Sequence, residues 1–267
     1  MCGIGGIVEL NGEIIEGLSS KLARINHLQK HRGPDDNNIW ARDKKNIGLA
    51  HTRLSIIDVD GGIQPMRDSS GNCVTFNGEI YNYIELRKEL GASNFRTKSD
   101  TEVILKAYEK WGVDCVQHFR GMFAFALWDE KRKTVFCARD FFGIKPFYYT
   151  IVDNKFYFAS EVKALLPFVD KVETNLEAFK EYLSFQLVLR EKTLFKNITQ
   201  LMPAHFLKIR NGNINIKKYW ELYYRPDEQH TEKYFENKLQ FLLEDSMRLH
   251  MRSDVPIGGY LSGGLDS

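Results

Sequence analysis

The sequence predicts an α+β domain with antiparallel strands, followed by the beginning of an α/β unit. Between residues 122 and 159, four short runs rich in β-branched and aromatic residues are separated by Gly, Asp and Asn, which is typical of consecutive antiparallel strands. A stretch at 18–28 with apolar residues three positions apart indicates an amphipathic helix beside them. After residue 219 the chain becomes polar, and a helical stretch then precedes a strand-like run and a Gly-rich loop.

Composition limits the classes of function. The chain of 267 residues has 43% hydrophobic and 27% charged residues, as folded globular proteins do. Its 37 basic and 35 acidic residues create no basic field, so neither nucleic acid nor a membrane surface is an expected partner. No apolar run approaches the roughly 20 residues of a membrane span, and no signal peptide is recognisable. The four cysteines lack metal-ligand spacing, so we expect reduced thiols, no metal site and a cytoplasmic location.

The first seven residues carry the most reactive candidate group, Cys2. Removal of Met1 would give Cys2 a thiol and a free α-amine, and a nucleophile needs such a base beside it. An α-amine has a pKa of roughly 7.7–8.0, so part of it is unprotonated at neutral pH. Taken alone, the stretch also fits a buried cysteine at the start of a strand over 4–10.

A predicted helix and a predicted strand precede Arg53, a candidate binding residue. The helix that begins near Leu18 should end at 31–35, where Gly and Pro occur together. A short strand at 47–51 follows, and Arg53 then heads an apolar run over 54–57. A partly buried cation needs an anionic partner, which is either a protein carboxylate or the carboxylate of a substrate.

Asn77-Gly78 follows a strand that begins at residue 73, and a helix is predicted from there to residue 90. An Asn-Gly pair is typical of an ordinary turn. Alternatively, the Asn side-chain amide and the Gly backbone N–H can both donate to one oxygen, as in an oxyanion hole. The sequence alone leaves both interpretations open.

Two four-residue patterns, 99–102 and 174–177, predict capping boxes at the starts of helices. Ser99 would pair with Glu102 in the first. Asp100 would favour the helix dipole whether or not a ligand is present, so a role in binding an ammonium group depends on context.

The remaining predicted elements complete the chain. In the loop 141–146 we expect the apolar residues to belong to the core, and a hairpin is predicted over 205–218. A helix at 232–251 and a strand at 254–261 precede Ser262–Ser267. A strand followed by a Gly-rich loop is a phosphate cradle, although the loop lacks the Gly-Lys-Ser/Thr of a P-loop. Because the chain stops inside this motif, we expect it to be a piece of a longer protein.

Several of these patterns occur together in one order: 2–4, 31–35, 53–57, 77–79 and 99–102. In this order they resemble class II glutamine amidotransferases, whose nucleophile is the N-terminal residue. Arg139-Asp140, the run 143–146 and Ser262–Ser267 narrow the resemblance to glutamine-hydrolysing asparagine synthetases. The resemblance implies a four-layer αββα glutaminase domain over 2–218. Residues 219–267 would be the linker, helix, first strand and phosphate loop of an incomplete α/β ATP-pyrophosphatase domain.

The resemblance also implies roles for individual residues. Cys2 would attack the glutamine side-chain amide, with its own α-amine as the base, and Asn77 and Gly78 would hold the oxyanion. Arg53 would bind the substrate α-carboxylate, and Asp100 its α-ammonium. The rest of the glutamine pocket would be Leu54, Ser55, Ile56, Ile57 and Glu79, and the ATP contacts would be Leu261, Ser262, Gly263 and Gly264.

The expected reaction converts glutamine to glutamate and ammonia through a thioester and needs no cofactor. In the full-length enzyme, ammonia would pass through a tunnel and amidate aspartate with ATP and Mg²⁺. A homodimer is the expected assembly. One alternative is an amidotransferase of the same fold that acts on another carboxylate, such as a sugar acid, since acceptor selectivity lies beyond residue 267. Another is a glutamine-binding regulatory module without catalysis, which Cys2 argues against.

Overall fold

The computed structural model describes residues 1–265, so the last two residues of the predicted phosphate loop, Asp266 and Ser267, lie outside it. The described strands are β1 Gly3–Glu9, β2 Asp36–Ala41, β3 Ile47–Arg53, β4 Met66–Arg67, β5 Cys73–Ile80, β6 Gly121–Asp129, β7 Thr134–Arg139, β8 Tyr148–Val152, β9 Lys155–Ala159, β10 Thr199–Gln200, β11 His205–Arg210 and β12 Asn213–Lys218. The α-helices are α1 Leu18–Gln29, α2 Tyr83–Glu89, α3 Asp100–Trp111, α4 Leu176–Phe185 and α5 Glu232–His250. Short 3₁₀ turns occupy Lys30–Arg32, Ala92–Asn94, Gly112–His118, Val162–Ala164 and Leu166–Phe168.

The strands form two six-stranded antiparallel sheets. The first sheet has the order β10-β8-β9-β1-β3-β2, and the second has the order β12-β11-β7-β6-β5-β4. The predicted hairpins pair as expected, β6 with β7, β8 with β9, and β11 with β12. Strands β7 and β8 are consecutive in the chain but lie in different sheets, so the loop 141–146 crosses from one sheet to the other.

Three apolar clusters separate four layers, which confirms the predicted αββα architecture. One cluster joins α1 to the first sheet and includes Leu22 and Ile25. A second lies between the two sheets, and a third joins the second sheet to α2 and α3. Strand β6 shows why the sequence builds these layers: its large residues Phe123 and Phe125 pack toward the helices, whereas its alanines face the other sheet. Small side chains on that face let the sheets approach each other.

Several local predictions need correction. Asn77-Gly78 lies inside β5, which continues to Ile80, so it does not form a turn. Ser99 caps α3 by accepting from the N–H of Thr101 at 3.1 Å, but the Glu102 carboxylate bonds to the preceding backbone at Arg96 and Thr97 rather than to the cap. The box is therefore not reciprocal.

The second predicted cap is shifted by one residue, because Asn175, not Thr174, accepts from the N–H of Ala178. Thr174 instead forms an isolated bridge to Phe195. In the loop 141–146, Phe141 packs on the core, whereas Phe142 and Ile144 are exposed, so this loop is only partly core.

The C-terminal region contains the predicted long helix, α5, but residues 254–261 form no strand. A strand needs a hydrogen-bonded neighbour, and none of the described strands pairs with this segment. Among residues 1–265, no helix combines the length and apolarity that a membrane span requires.

Candidate active site

A cavity of about 350 Å³ lies at the edge of the sandwich, where Cys2 leads into β1. Both sheets contribute to it, since β3 ends in Arg53 and β5 carries Asn77 and Gly78. We call it the Cys2 cavity, and it is lined by Met1, Cys2, Arg53, Leu54, Ile56, Ile57, Gly62, Gln64, Phe76, Asn77, Gly78, Glu79, Ser99, Asp100, Thr101, Met122 and Lys145. Residues that are far apart in the chain, such as Cys2 and Asp100, which are 98 positions apart, therefore line one cavity.

Two groups of predicted site residues lie elsewhere. Ser55 follows Leu54 but does not line the cavity, and its N–H donates to the Asp35 carboxylate at 2.8 Å. Leu261, Ser262, Gly263 and Gly264 are exposed and do not line the cavity. The residues predicted to bind the nucleotide therefore lie in a different part of the chain from the Cys2 cavity.

The Cys2 thiol is held at the cavity wall by the residue that follows β3. Its Sγ accepts from the N–H of Leu54 at 3.4 Å and lies 3.6 Å from the Leu54 carbonyl oxygen. Burial raises the pKa of the thiol, so the sulfur is protonated. Met1 is 58% exposed and occupies the α-nitrogen of Cys2, so the free amine belongs to Met1. The base that the mechanism needs is formed only after Met1 is removed.

The backbone of Cys2 is held by a second residue, Arg32. Arg32 Nε donates to the Cys2 carbonyl oxygen at 2.9 Å, and Arg32 Nη1 donates to Glu161 at 3.0 Å. The run 31–35 can approach this closely because of Gly33, where an added Cβ would lie 2.3 Å from the Thr52 backbone. The predicted turn therefore also positions the nucleophile.

Asn77 is the most unusual polar residue of the cavity. Its side chain is 1% exposed, and neither its amide oxygen nor its amide nitrogen has a hydrogen-bond partner among the described residues. Such a group costs about 1–3 kcal/mol when it is buried without a partner. An amide that lines a cavity and lacks a partner is suited to bind a ligand oxygen.

Gly78 supplies the adjacent backbone. Its φ of 153° lies in the region that favours glycine, and an added Cβ would come within 2.0 Å of the Met122 carbonyl oxygen. No other residue fits without moving β6. Asn77 and Gly78 thus offer one side-chain and one backbone donor side by side, as an oxyanion hole requires.

Arg53 is buried, but it has no protein carboxylate as its partner among the described residues. Its guanidinium donates to the carbonyl oxygens of Val59 at 2.7 Å, Asp58 at 2.7 Å and Ile57 at 3.3 Å. Backbone carbonyls of its own loop therefore hold the cation. These bonds use only part of the donors of a guanidinium, so Arg53 can still bind an anion in the cavity.

Three ionisable groups complete the cavity. Burial raises the pKa of Asp100 to about 7, and its carboxylate accepts from the N–H of Ile80 at 3.0 Å. Burial also raises the pKa of Glu79 and lowers that of Lys145, and each of these two charges counteracts the shift of the other. Because Arg53 also lines the cavity, the cavity holds both signs of charge, which suits a zwitterionic ligand.

Lys145 and Gln64 are among the lining residues that the sequence did not assign to the site. Lys145 lies in the loop 141–146, which was predicted to belong to the core on the basis of its apolar residues. A charged lysine within that apolar run was the signal that could have indicated a site residue. Gln64 gave no local signal: its Oε1 accepts from the N–H of Phe76 at 2.7 Å and so holds β5 just before Asn77. Within residues 1–265, no group of three His, Cys, Asp or Glu side chains could hold a metal ion.

Comparison with known proteins agrees with this geometry. A family model described as a glutamine amidotransferase domain matches residues 1–220. The chain belongs to the glutamine amidotransferase family. A second model, described as asparagine synthase, matches residues 238–267.

Two curated relatives and one solved structure show how similar the chain is to known proteins. The chain is 39% identical to asparagine synthetase [glutamine-hydrolyzing] 3 of Bacillus subtilis, over 100% of the chain and 44% of that protein. It is 39% identical to a putative asparagine synthetase [glutamine-hydrolyzing] 2 of Methanocaldococcus jannaschii, over 100% of the chain and 55% of that protein. The chain thus spans about half the length of these relatives. The glutamine phosphoribosylpyrophosphate amidotransferase of B. subtilis matches 82% of the chain and 49% of its own, with a TM-score of 0.59 and 18% identity, which shows a shared fold.

Proposed function

We propose that the chain hydrolyses glutamine to glutamate and ammonia, with Cys2 as the nucleophile. The observation that carries this proposal is the Asn77 amide, which is buried without a partner in the same cavity as the Cys2 thiol. Unpaired donors beside a nucleophile are arranged for a charge that develops during the reaction rather than for the resting protein.

The proposed reaction begins when Met1 has been removed. The α-amine of Cys2 takes the thiol proton, and the sulfur attacks the glutamine side-chain carbonyl carbon. The carbonyl oxygen becomes an oxyanion that accepts from Asn77 Nδ2 and the Gly78 N–H. The amine then gives its proton to the leaving nitrogen, ammonia departs, and a thioester remains. Water, deprotonated by the same amine, attacks the thioester, and the sulfur leaves as glutamate forms.

The charged residues of the cavity fit the α-amino acid part of glutamine. The donors of Arg53 that the loop carbonyls do not use would bind the α-carboxylate, and ionised Asp100 would bind the α-ammonium. Leu54, Ile56 and Ile57 would form the wall of the pocket beside Glu79. Ser55 would contribute only indirectly, because it fixes the turn after β3 through Asp35.

The acceptor of the ammonia is a further part of the proposal. The asparagine synthase match at 238–267 and the synthetase relatives support a glutaminase domain at 2–218 followed by the start of an asparagine synthetase domain at 219–267. The complete protein would then amidate aspartate with ATP, whose phosphates would contact Leu261–Gly264. Mg²⁺ would accompany the ATP in the complete protein; among residues 1–265, no group of three His, Cys, Asp or Glu side chains could hold it.

Location and assembly complete the proposal. All four cysteines are free thiols, which supports a reducing compartment such as the cytoplasm. A homodimer is proposed as the assembly, and analytical ultracentrifugation would measure it directly.

The test uses the chain with Met1 removed, verified by mass spectrometry. Incubation with glutamine should release glutamate and ammonia in equal amounts, and Cys2→Ala should release neither. A variant with Asp227→Ala, in the exposed linker, should match the wild type. Saturable glutamine binding without glutamate release would contradict the proposal and would favour a regulatory module instead. Glutamate release by Cys2→Ala at the wild-type rate would exclude the proposed nucleophile.

A further inference from the structure

The segment that follows α5 returns to the Cys2 cavity. Arg252 donates to both carboxylate oxygens of Glu85 at 2.6 Å and to the Tyr81 carbonyl oxygen at 2.6 Å. The His250 ring packs on Tyr81 with 4.0 Å between ring centroids. These contacts hold residues 250–252, which belong to the asparagine synthase match, against the amidotransferase domain.

Two residues further on, Asp254 bonds to the loop after β3. Its N–H donates to the Ile56 carbonyl oxygen at 3.0 Å, and its carboxylate Oδ2 accepts from the N–H of Asp58 at 2.7 Å. The loop is therefore bonded on both sides of Ile57, a residue that lines the Cys2 cavity.

Asp58 connects this contact to both charged anchors of the cavity. Its carbonyl oxygen accepts from Arg53 Nη2 at 2.7 Å. Its carboxylate Oδ2 accepts from the N–H of Lys98 at 2.8 Å, two residues before Asp100. Asp58 thus bonds directly to Arg53, the cation of the cavity. It also bonds to the start of α3, the helix that carries Asp100, the anion of the cavity.

The backbone of Asp58 depends on such contacts, because its φ of 50° is left-handed. Non-glycine residues adopt this region at a cost, although Asp tolerates it better than most. A hydrogen bond from the Asp58 N–H to a carboxylate favours this conformation. Without it, the carbonyl oxygens that orient Arg53 would be less well fixed.

We propose that Asp254 is a positioning residue for glutamine: by holding Asp58, it orients Arg53 and the start of α3 toward the substrate's α-amino acid groups. This inference rests on the proposed function, since it takes the ligand to be glutamine. It also means that the conformation of the segment leading to the predicted phosphate loop affects glutamine affinity.

The expected effect is on substrate binding rather than on chemistry. Asp254→Ala removes a charged acceptor, and such hydrogen bonds account for roughly a tenfold change or more in an equilibrium constant. We expect the KM for glutamine to rise roughly tenfold, with kcat within about twofold of the wild type. The reason is that Cys2, Asn77 and Gly78 have no hydrogen bond to Asp254 or Asp58.

The experiment compares three variants of the processed chain: Asp254→Ala, Asp254→Asn and the linker control Asp227→Ala. Asparagine keeps an acceptor oxygen at the same distance, so it should restore KM to within about threefold of the wild type, and the control should leave KM and kcat unchanged. If Asp254→Ala does not fold, Asp254→Ser, whose side chain is too short to reach Asp58, takes its place. Glutamine affinity is measured separately by calorimetry in the Cys2→Ala background, where no turnover occurs.

Each outcome has one meaning. An unchanged KM in Asp254→Ala, a fall confined to kcat, or equal effects of alanine and asparagine would overturn the role of Asp254 while leaving glutamine hydrolysis intact. A chain that binds glutamine without hydrolysing it contradicts the proposed reaction alone, because calorimetry still tests Asp254. A chain that neither binds nor hydrolyses glutamine overturns both the proposed reaction and the role of Asp254.

Discussion

Replacement of Asn77 by alanine should lower activity and raise stability at the same time. Loss of one oxyanion donor reduces kcat by about 100-fold to 1000-fold, or about 2.7–4 kcal/mol. The folded protein, in contrast, buries an amide that is 1% exposed and has no partner for its oxygen or its nitrogen. Removing that amide relieves a desolvation cost of about 1–3 kcal/mol, and each kcal/mol raises Tm by about 2–4 °C in a protein of this size.

Asn26 provides the matched control, because it is also an asparagine and is 0% exposed. Its Nδ2 donates to Asn37 Oδ1 at 2.7 Å and to the Asn38 carbonyl oxygen at 2.9 Å. Asn26→Ala should therefore lower Tm and leave kcat within a few-fold of the wild type. Glutamate release and thermal unfolding measure both quantities on the same samples. If Asn77→Ala keeps its kcat, or unfolds at a lower temperature than the wild type, the assignment of its amide to the oxyanion is wrong.

Three further predictions test the other groups of the cavity. A chain that retains Met1, verified by mass spectrometry, should release no glutamate above background. The reason is that the free amine then belongs to Met1 instead of Cys2, while burial raises the pKa of the Cys2 thiol. Activity equal to that of the processed chain would contradict this prediction. The pKa of Asp100 is raised from 3.8 to about 7 in the folded protein, so the folded state holds that proton to a higher pH than the unfolded chain does. The stability of the ligand-free protein should thus fall as pH rises from about 4 to about 7, while the KM for glutamine should rise below pH 7; Asp100→Asn should remove both trends in unfolding and kinetic titrations. Arg53→Lys should raise the KM for glutamine at least tenfold, since lysine cannot bond to several loop carbonyls and a carboxylate together; an unchanged KM would exclude Arg53 as the carboxylate ligand.

Local patterns predicted the elements that depend on neighbouring residues. The helices α1 and α5 and the β11–β12 hairpin follow from apolar spacing and from an Asn-Gly turn at 211–212, and all three are present. The same rule failed at Asn77-Gly78 because β5 is paired with β6 along its whole length, and those ladder bonds outweigh the turn preference of the pair. Gly78 is needed there for close packing against Met122, not for a turn.

The parts that could not be predicted depend on residues distant in the chain. The partners of Arg53 are carbonyl oxygens whose orientation depends on the fold of the loop 57–59, which no residue type reveals. A strand at 254–261 was inferred from its apolar residues, but a strand exists only where another strand pairs with it. Asp254 instead bonds to Asp58, 196 positions earlier, and the sequence contains no sign of that contact.

The geometry of the cavity depends finally on how the two sheets are held together, because Arg53 belongs to the first sheet and Asn77 to the second. Two residues before each of them, His51 and Thr75 meet between the sheets at 3.1 Å. The Thr75 hydroxyl donates to the Ala50 carbonyl oxygen at 3.0 Å, so it must accept from His51, and the imidazole hydrogen therefore lies on Nδ1. Burial lowers the pKa of His51 to about 3, so the ring stays neutral at physiological pH and can keep that single donor. A hydrogen bond that does not titrate near neutral pH thus connects β3 to β5 directly behind the proposed substrate anchor and the proposed oxyanion donor.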